Sequence, residues 1–198
     1  MNNTRPQDKK FDIKPEIQYY KSFVVVAKKY LVKADDDHKE LNAKFKEFTN
    51  KGGYRDLKIV IKEKRQGDQI WLYQSPHKDS EHNDKLSVYI GSIVKNFNEK
   101  EEGPMLEYDA HRSGFDYIKL ANMHYHVFTP QYPGGLSQED LPYACHQTWA
   151  VITDQDVFKR RADMKDGFID FQLCHQDDNQ KWHCSIYIAE NTNIILNK

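Results

Sequence analysis

GFIDFQLCHQDDNQKWHCSIYIAE, residues 167–190, decides how the chain is read. Two runs that alternate apolar and polar residues flank a polar centre, the pattern of an antiparallel hairpin with one buried face. A turn at Asp177–Gln180 sets Leu173 against Cys184, Phe171 against Ile186 and Ile169 against Ile188. On the opposite face the same register sets Cys174 beside His183, with Asp170 farther along. A thiol beside an imidazole, with a carboxylate to orient the ring, is how a cysteine nucleophile is activated. Cys174, His183 and Asp170 are therefore candidate catalytic residues of a Cys-His hydrolase or transferase.

Strand texture continues upstream. LKIVIKEK and QIWLYQS flank Arg65-Gln66-Gly67-Asp68 as a second hairpin, and KLSVYIGSIVKNF follows as a strand bent at Gly91. MLEYDA, FDYIKLANMHYHVF and YACHQTWAVI read as further strands. A capping-box-like Thr153-Asp154-Gln155-Asp156 opens a short inserted helix that ends near Gly167. The basic cluster Lys159-Arg160-Arg161 lies on it and reads as a solvated face.

Before Gly53 the texture is different. Pro15 suits the first turn of a helix, and Ile17, Tyr20, Val24, Ala27 and Leu31 recur at helical spacing. Asp35-Asp36-Asp37 suits the first turn of a second helix, with Leu41, Phe45 and Phe48 on its apolar face and Gly52-Gly53 as its stop. The expected fold class is α+β: two N-terminal helices, then a mostly antiparallel, strongly curved sheet or incomplete barrel of seven to eight strands. Residues 1–13 read as a polar lead-in, and 14–198 as one domain with a helical part (14–53) and a β-rich part (54–198).

His124-Tyr125-His126 supplies the sharpest chemistry. On a strand His124 and His126 point the same way, a two-ligand edge for zinc, iron, manganese or nickel, and Tyr125 points the other way. His146, from the next predicted strand, is the third candidate ligand, with Glu139 and Asp140 as alternatives. His-x-His on a strand is also how the cupin metal motif begins. Gln131 stands where that motif places a glutamate, and its second half is missing, so no family is assigned. There is no CxxC pair, no glycine-rich nucleotide loop and no GxSxG elbow. The tripeptide Cys-His-Gln occurs at 145–147 and at 174–176, but its flanks share nothing, so it is not read as a repeat.

The 198-residue chain is 38% hydrophobic, 13% aromatic and 30% charged, with a net charge of −1. Its first third is nonetheless basic, and a basic helical face there suggests an acidic protein partner. Nothing nucleic-acid-like accompanies that charge. The N-terminus has no apolar signal-like core, no stretch reaches the ~20 apolar residues of a membrane span, and three cysteines make no disulfide framework. A cytoplasmic protein is the expectation, with specialised export as an effector open. The sequence thus favours a metal-binding protein or metal-dependent enzyme. Its alternatives are an interaction module, as in bacterial effectors or viral or phage accessory proteins, and the Cys-His enzyme.

Overall fold

The structure, a computed structural model, describes residues 15–33, 39–62, 65–74, 85–130, 136–137, 140–153 and 169–189. Eight strands and four helices appear among them: β1 (Glu16–Tyr20), β2 (Phe23–Lys33), α1 (Lys39–Asn50), α2 (Gly53–Ile61), β3 (Gln66–Gln74), β4 (Lys85–Val94), α3 (Glu99–Arg112), β5 (Asp116–Leu120), β6 (Met123–Phe128), α4 (Leu141–Thr153), β7 (Ile169–Gln176) and β8 (Trp182–Ala189). The α+β class and the curved antiparallel sheet hold.

The first expected helix is instead two strands. Val24 and Val26 pack under the helices, while Val25 and Ala27 pack in a second cluster on the other side of the sheet. A segment buried on both faces shows no clean alternation, and its β-branched run suits a strand. The errors run the other way at three places. LKIVI lies within α2, MLEYDA within α3 and YACHQTWAVI within α4. In α2 the buried residues Gly53, Leu57 and Ile61 recur every four positions, so packing overrides the β-branched composition. The second expected helix is α1, with Leu41, Phe45 and Phe48 buried as its spacing predicts. The inserted helix, its basic cluster and the lead-in lie outside the described residues.

The strands form one sheet in the order β1-β6-β8-β7-β3-β4-β2-β5. All its pairings are antiparallel. Replacing each strand number by the number four places away reverses the order onto itself. The topology is therefore two copies of one four-strand path, related by a pseudo-twofold between β3 and β7. Only the path recurs, not the residues, so the amino-acid sequence carries no visible repeat. Each copy lends its first strand to the other: β1 pairs with β6, and β5 pairs with β2.

This exchange dictates the curl. Only Lys21 and Ser22 separate β1, at one edge, from β2, which is seventh in the order. Three Cα steps reach about 11 Å, whereas six strand spacings across a flat sheet span about 29 Å. The sheet must roll until its ends meet. The two crossovers pass each other where the Ser22 amide donates to Asn122 Oδ1 at 2.6 Å.

The outer face of the roll carries the helices. α1, α2 and α3 cover one half through Phe45, Phe48, Leu57, Ile61 and Leu106. α4 covers β6 and β8 through Ile152 and Trp149. The inner face carries Ile70, Leu72, Tyr125, Phe171 and Tyr187.

Candidate functional site

Two groups of side chains stand back to back on β7 and β8. Inside the roll, the alternation of β7 and β8 turns Phe171 and Tyr187 inward at one register position. Their rings stack with centroids 4.4 Å apart and planes 15° from parallel. Tyr125 on β6 meets Phe171 edge-on at 4.8 Å. The short β1–β2 crossover brings Tyr20 and Phe23 onto the same rings, at 6.0 and 5.7 Å from Phe171. Such pairs contribute about 0.5–1.5 kcal/mol each beyond their buried area. The Tyr20 and Tyr187 hydroxyls meet at 3.0 Å. Burial pushes the Tyr187 phenol up, and Tyr20, Cys184 and Asp68 push it the same way. Phe171, Tyr125, Tyr187, Ile70 and Leu72 form a buried floor. Around it Tyr20, Phe23, Tyr89, Ile93, Ile118 and Met123 remain only half-buried.

On the outer face Cys145 of α4, Cys174 of β7 and Cys184 of β8 converge, and their sulfurs all lie within 4.8 Å of one another. Cys145 and Cys184 are 3.3 Å apart, and Cys174 and Cys184 3.4 Å. A disulfide is about 2.05 Å long, so all three are free thiols. They are buried among Leu136, Leu141, Ala144 and Trp182. Leu136 is pinned there by two backbone bonds with Trp182, at 2.9 and 3.1 Å. The Gln172 amide donates to Cys174 Sγ at 3.5 Å, and the Tyr73 hydroxyl donates to Gln172 Oε1 at 3.4 Å. The Cys145 and Cys184 thiols pull the Cys174 thiol well below its ordinary value. Cys145 and Cys184 are themselves pushed up, Cys184 first by burial.

The predicted hairpin register is one residue off. Cys174 stands opposite Cys184, His175 opposite His183 and Phe171 opposite Tyr187. The turn is one residue longer than the sequence suggested. The Asp177 carboxylate accepts from the Asn179 and Lys181 amides, the Asp177 amide bonds to the Lys181 carbonyl, and Gln180 takes φ +60°. A slip of one residue exchanges the faces of a strand. His183 consequently lies on the face away from Cys174, where its Nε2 meets Asp177 Oδ2 at 2.9 Å and its ring stacks on His175. Asp170 is buried and accepts the Ala189 amide at 3.1 Å. Cys174, His183 and Asp170 therefore form no catalytic triad, and Cys174 is 1% exposed.

His124 and His126 do share one face of β6, where His124 packs against Tyr19 with ring centroids 5.1 Å apart. His146 sits on α4, not on a strand. Asp140 precedes α4 and accepts the Ser137 hydroxyl at 2.6 Å; Glu139 lies outside the described residues. Among the described residues, the one group of three or more metal-ligating side chains within 4.8 Å is the cysteine trio, which does not include these histidines. The trio left a signal in the sequence. Leu141, Ala144, Cys145, Thr148 and Ile152 recur at helical spacing and all are buried, which turns Cys145 toward the sheet.

No helix among the described residues is long and apolar enough to cross a membrane. No protein-family model matches the chain, and no curated protein sequence matches it. Solved structures do share its fold. The chain is similar to SAV2435, solved bound to tetraphenylphosphonium, with 17% identity and a TM-score of 0.59 over 92% of this chain and 97% of that one. It is similar to a candidate bacterial transcription regulation protein from Staphylococcus aureus MU50, with 17% identity and a TM-score of 0.55 over 90% and 99%. It is also similar to an integron cassette protein from the mobile metagenome of Vibrio cholerae, with 13% identity and a TM-score of 0.52 over 90% and 96%. At these identities the likeness establishes the fold these chains share, a rolled antiparallel sheet with helices on its outer face.

Proposed function

We propose that the chain is a ligand-binding domain whose rolled sheet takes an aromatic organic cation against Tyr20, Tyr125, Phe171 and Tyr187. The observation that carries this reading is the ring cluster on the inner face, which no helix among the described residues covers, with its half-buried apolar margin. Ring faces attract cations, and a pocket of aromatic walls with a few hydroxyls suits a flat or propeller-shaped ligand. The fold shared with SAV2435, which holds tetraphenylphosphonium, and with the candidate regulator supports the same reading. Binding there would be non-covalent, with no catalytic step.

Calorimetric titration with tetraphenylphosphonium tests it, with tetraphenylborate as an anion of the same shape. Saturable binding of the cation, weakened about tenfold or more in Tyr20→Ala, is the expected result. Absence of saturable binding, or equal affinity for cation and anion, would refute the reading.

A further inference from the structure

The thiol trio is a second site, independent of the inner face. We propose that Cys145, Cys174 and Cys184 form a buried three-thiolate site for a thiophilic ion satisfied by three sulfurs, trivalent arsenic foremost. Three properties of the trio favour that chemistry.

The first is the ligand set. Three sulfurs from three separate elements point at one another, and soft thiolates select soft ions. The side chains packed around them are Leu136, Leu141, Ala144 and Trp182. Among the described residues no histidine or carboxylate joins the three sulfurs within 4.8 Å, and of the polar groups nearby the Gln172 amide points its nitrogen at Cys174 and its oxygen at the buried Tyr73 hydroxyl. Tetrahedral zinc requires a fourth donor; a pyramidal ion carrying a lone pair does not.

The second is charge. The thiols are 4%, 1% and 5% exposed, so any net charge left at the centre is costly. Three thiolates around zinc leave one negative charge, and around monovalent copper two. Around trivalent arsenic they leave none.

The third is spacing. Zinc–sulfur bonds of about 2.3 Å place tetrahedral sulfurs about 3.8 Å apart. Two of the three sulfur pairs here stand at 3.3 and 3.4 Å, and the third lies within 4.8 Å. The narrow angles of a pyramidal centre match the two close pairs better.

The reaction balances without an oxidant or reductant. Arsenous acid and three thiols give the tris-thiolate and three waters. With all three protonated, three S–H and three As–O bonds break and three As–S and three O–H bonds form; a cysteine already ionised takes up one proton from solution instead, so no proton is released in either case. Zinc or copper binding by the same thiols would release protons instead. The occupied site would tie α4 to the β7–β8 hairpin.

The test is a titration of the reduced full chain with arsenite, and in parallel with zinc and monovalent copper. Bound element, remaining free thiols and proton release are all measured. The proposal expects one arsenic per chain, loss of all three free thiols, a raised melting temperature and no proton release. Each single Cys→Ser variant removes a ligand outright and should lose affinity by more than the roughly 10–100-fold that losing an outer-shell partner costs. Cys145→Ala, checked by circular dichroism, serves if a serine variant fails to fold. Protection of only two thiols, unchanged affinity in the variants, or zinc held in preference to arsenite would overturn the proposal.

Discussion

Cys174 on β7 stands directly opposite Cys184 on β8, with their sulfurs 3.4 Å apart. Neither is within reach of solvent, and Cys145 closes the group from α4. Thiolate exposure governs reaction with thiol reagents. All three thiols of the reduced, ion-free protein should react with Ellman's reagent only as fast as the α4–hairpin contact opens, and at once in denaturant. Rapid reaction of one thiol in the native protein would contradict this packing.

Gly91 faces Ala27 across the β2–β4 pair, and a Cβ there would meet Val26 O at 2.1 Å and Ala27 Cα at 2.5 Å. Both obstacles include backbone, so they cannot rotate away. Gly91→Ala should destabilise by about 3 kcal/mol or more, at or beyond the usual cost of overpacking. A urea denaturation midpoint close to that of the parent would show that β2 and β4 are not in this register.

Asp177 organises the last hairpin's turn. The His183 imidazole, then the Lys181 and Asn179 amides, hold its carboxyl below the usual carboxylate range. A carboxyl depressed in the folded state stabilises it while ionised. That contribution is complete above the ordinary carboxylate value and disappears as pH falls through the lower folded value. The fall in melting temperature from pH 6 to pH 3 should therefore be smaller in Asp177→Asn than in the parent. Equal falls would remove Asp177 from the account of the turn.

The Tyr20–Tyr187 hydroxyl contact fastens the β1–β2 crossover to the inner face. Tyr187→Phe keeps the ring and removes the hydroxyl, and should cost about 0.5–1.5 kcal/mol by chemical denaturation. A loss well beyond that would mean the hydroxyl has further partners.

Strands bounded by turn residues were the legible part of the sequence: WHCSIYIA and QIWLYQ were read as strands, and both form them. Where both faces are buried, as at Val24–Ala27, alternation vanished and a helical stripe was read into noise. Where a helix was built from β-branched and aromatic residues, as in α2 and α4, composition misled and only the spacing of buried positions was informative. The candidate site suffered most from one unreadable quantity, the length of a turn. Asp177 gathers a longer loop than its sequence announces, and that single residue moved Cys174 from a histidine to a cysteine. The inner ring cluster lay beyond sequence reasoning altogether, because Tyr20 and Phe171 meet only after the sheet has rolled.

The palindromic strand order also bears on how the molecule comes together during synthesis. Everything in β3-β4-β2-β5, with α1 to α3, lies between residues 23 and 120. A ribosome could release that half as a finished unit with β3 exposed along one side. β1, made first, has no partner until β6 emerges. β7 and β8, the last of the described strands to be made, enter the centre of the sheet and join its two parts. They also carry Phe171, Tyr187, Cys174 and Cys184. Neither the ring cluster nor the thiol trio exists before that insertion, so a chain interrupted upstream of residue 169 would have neither site and would expose an open edge for aggregation.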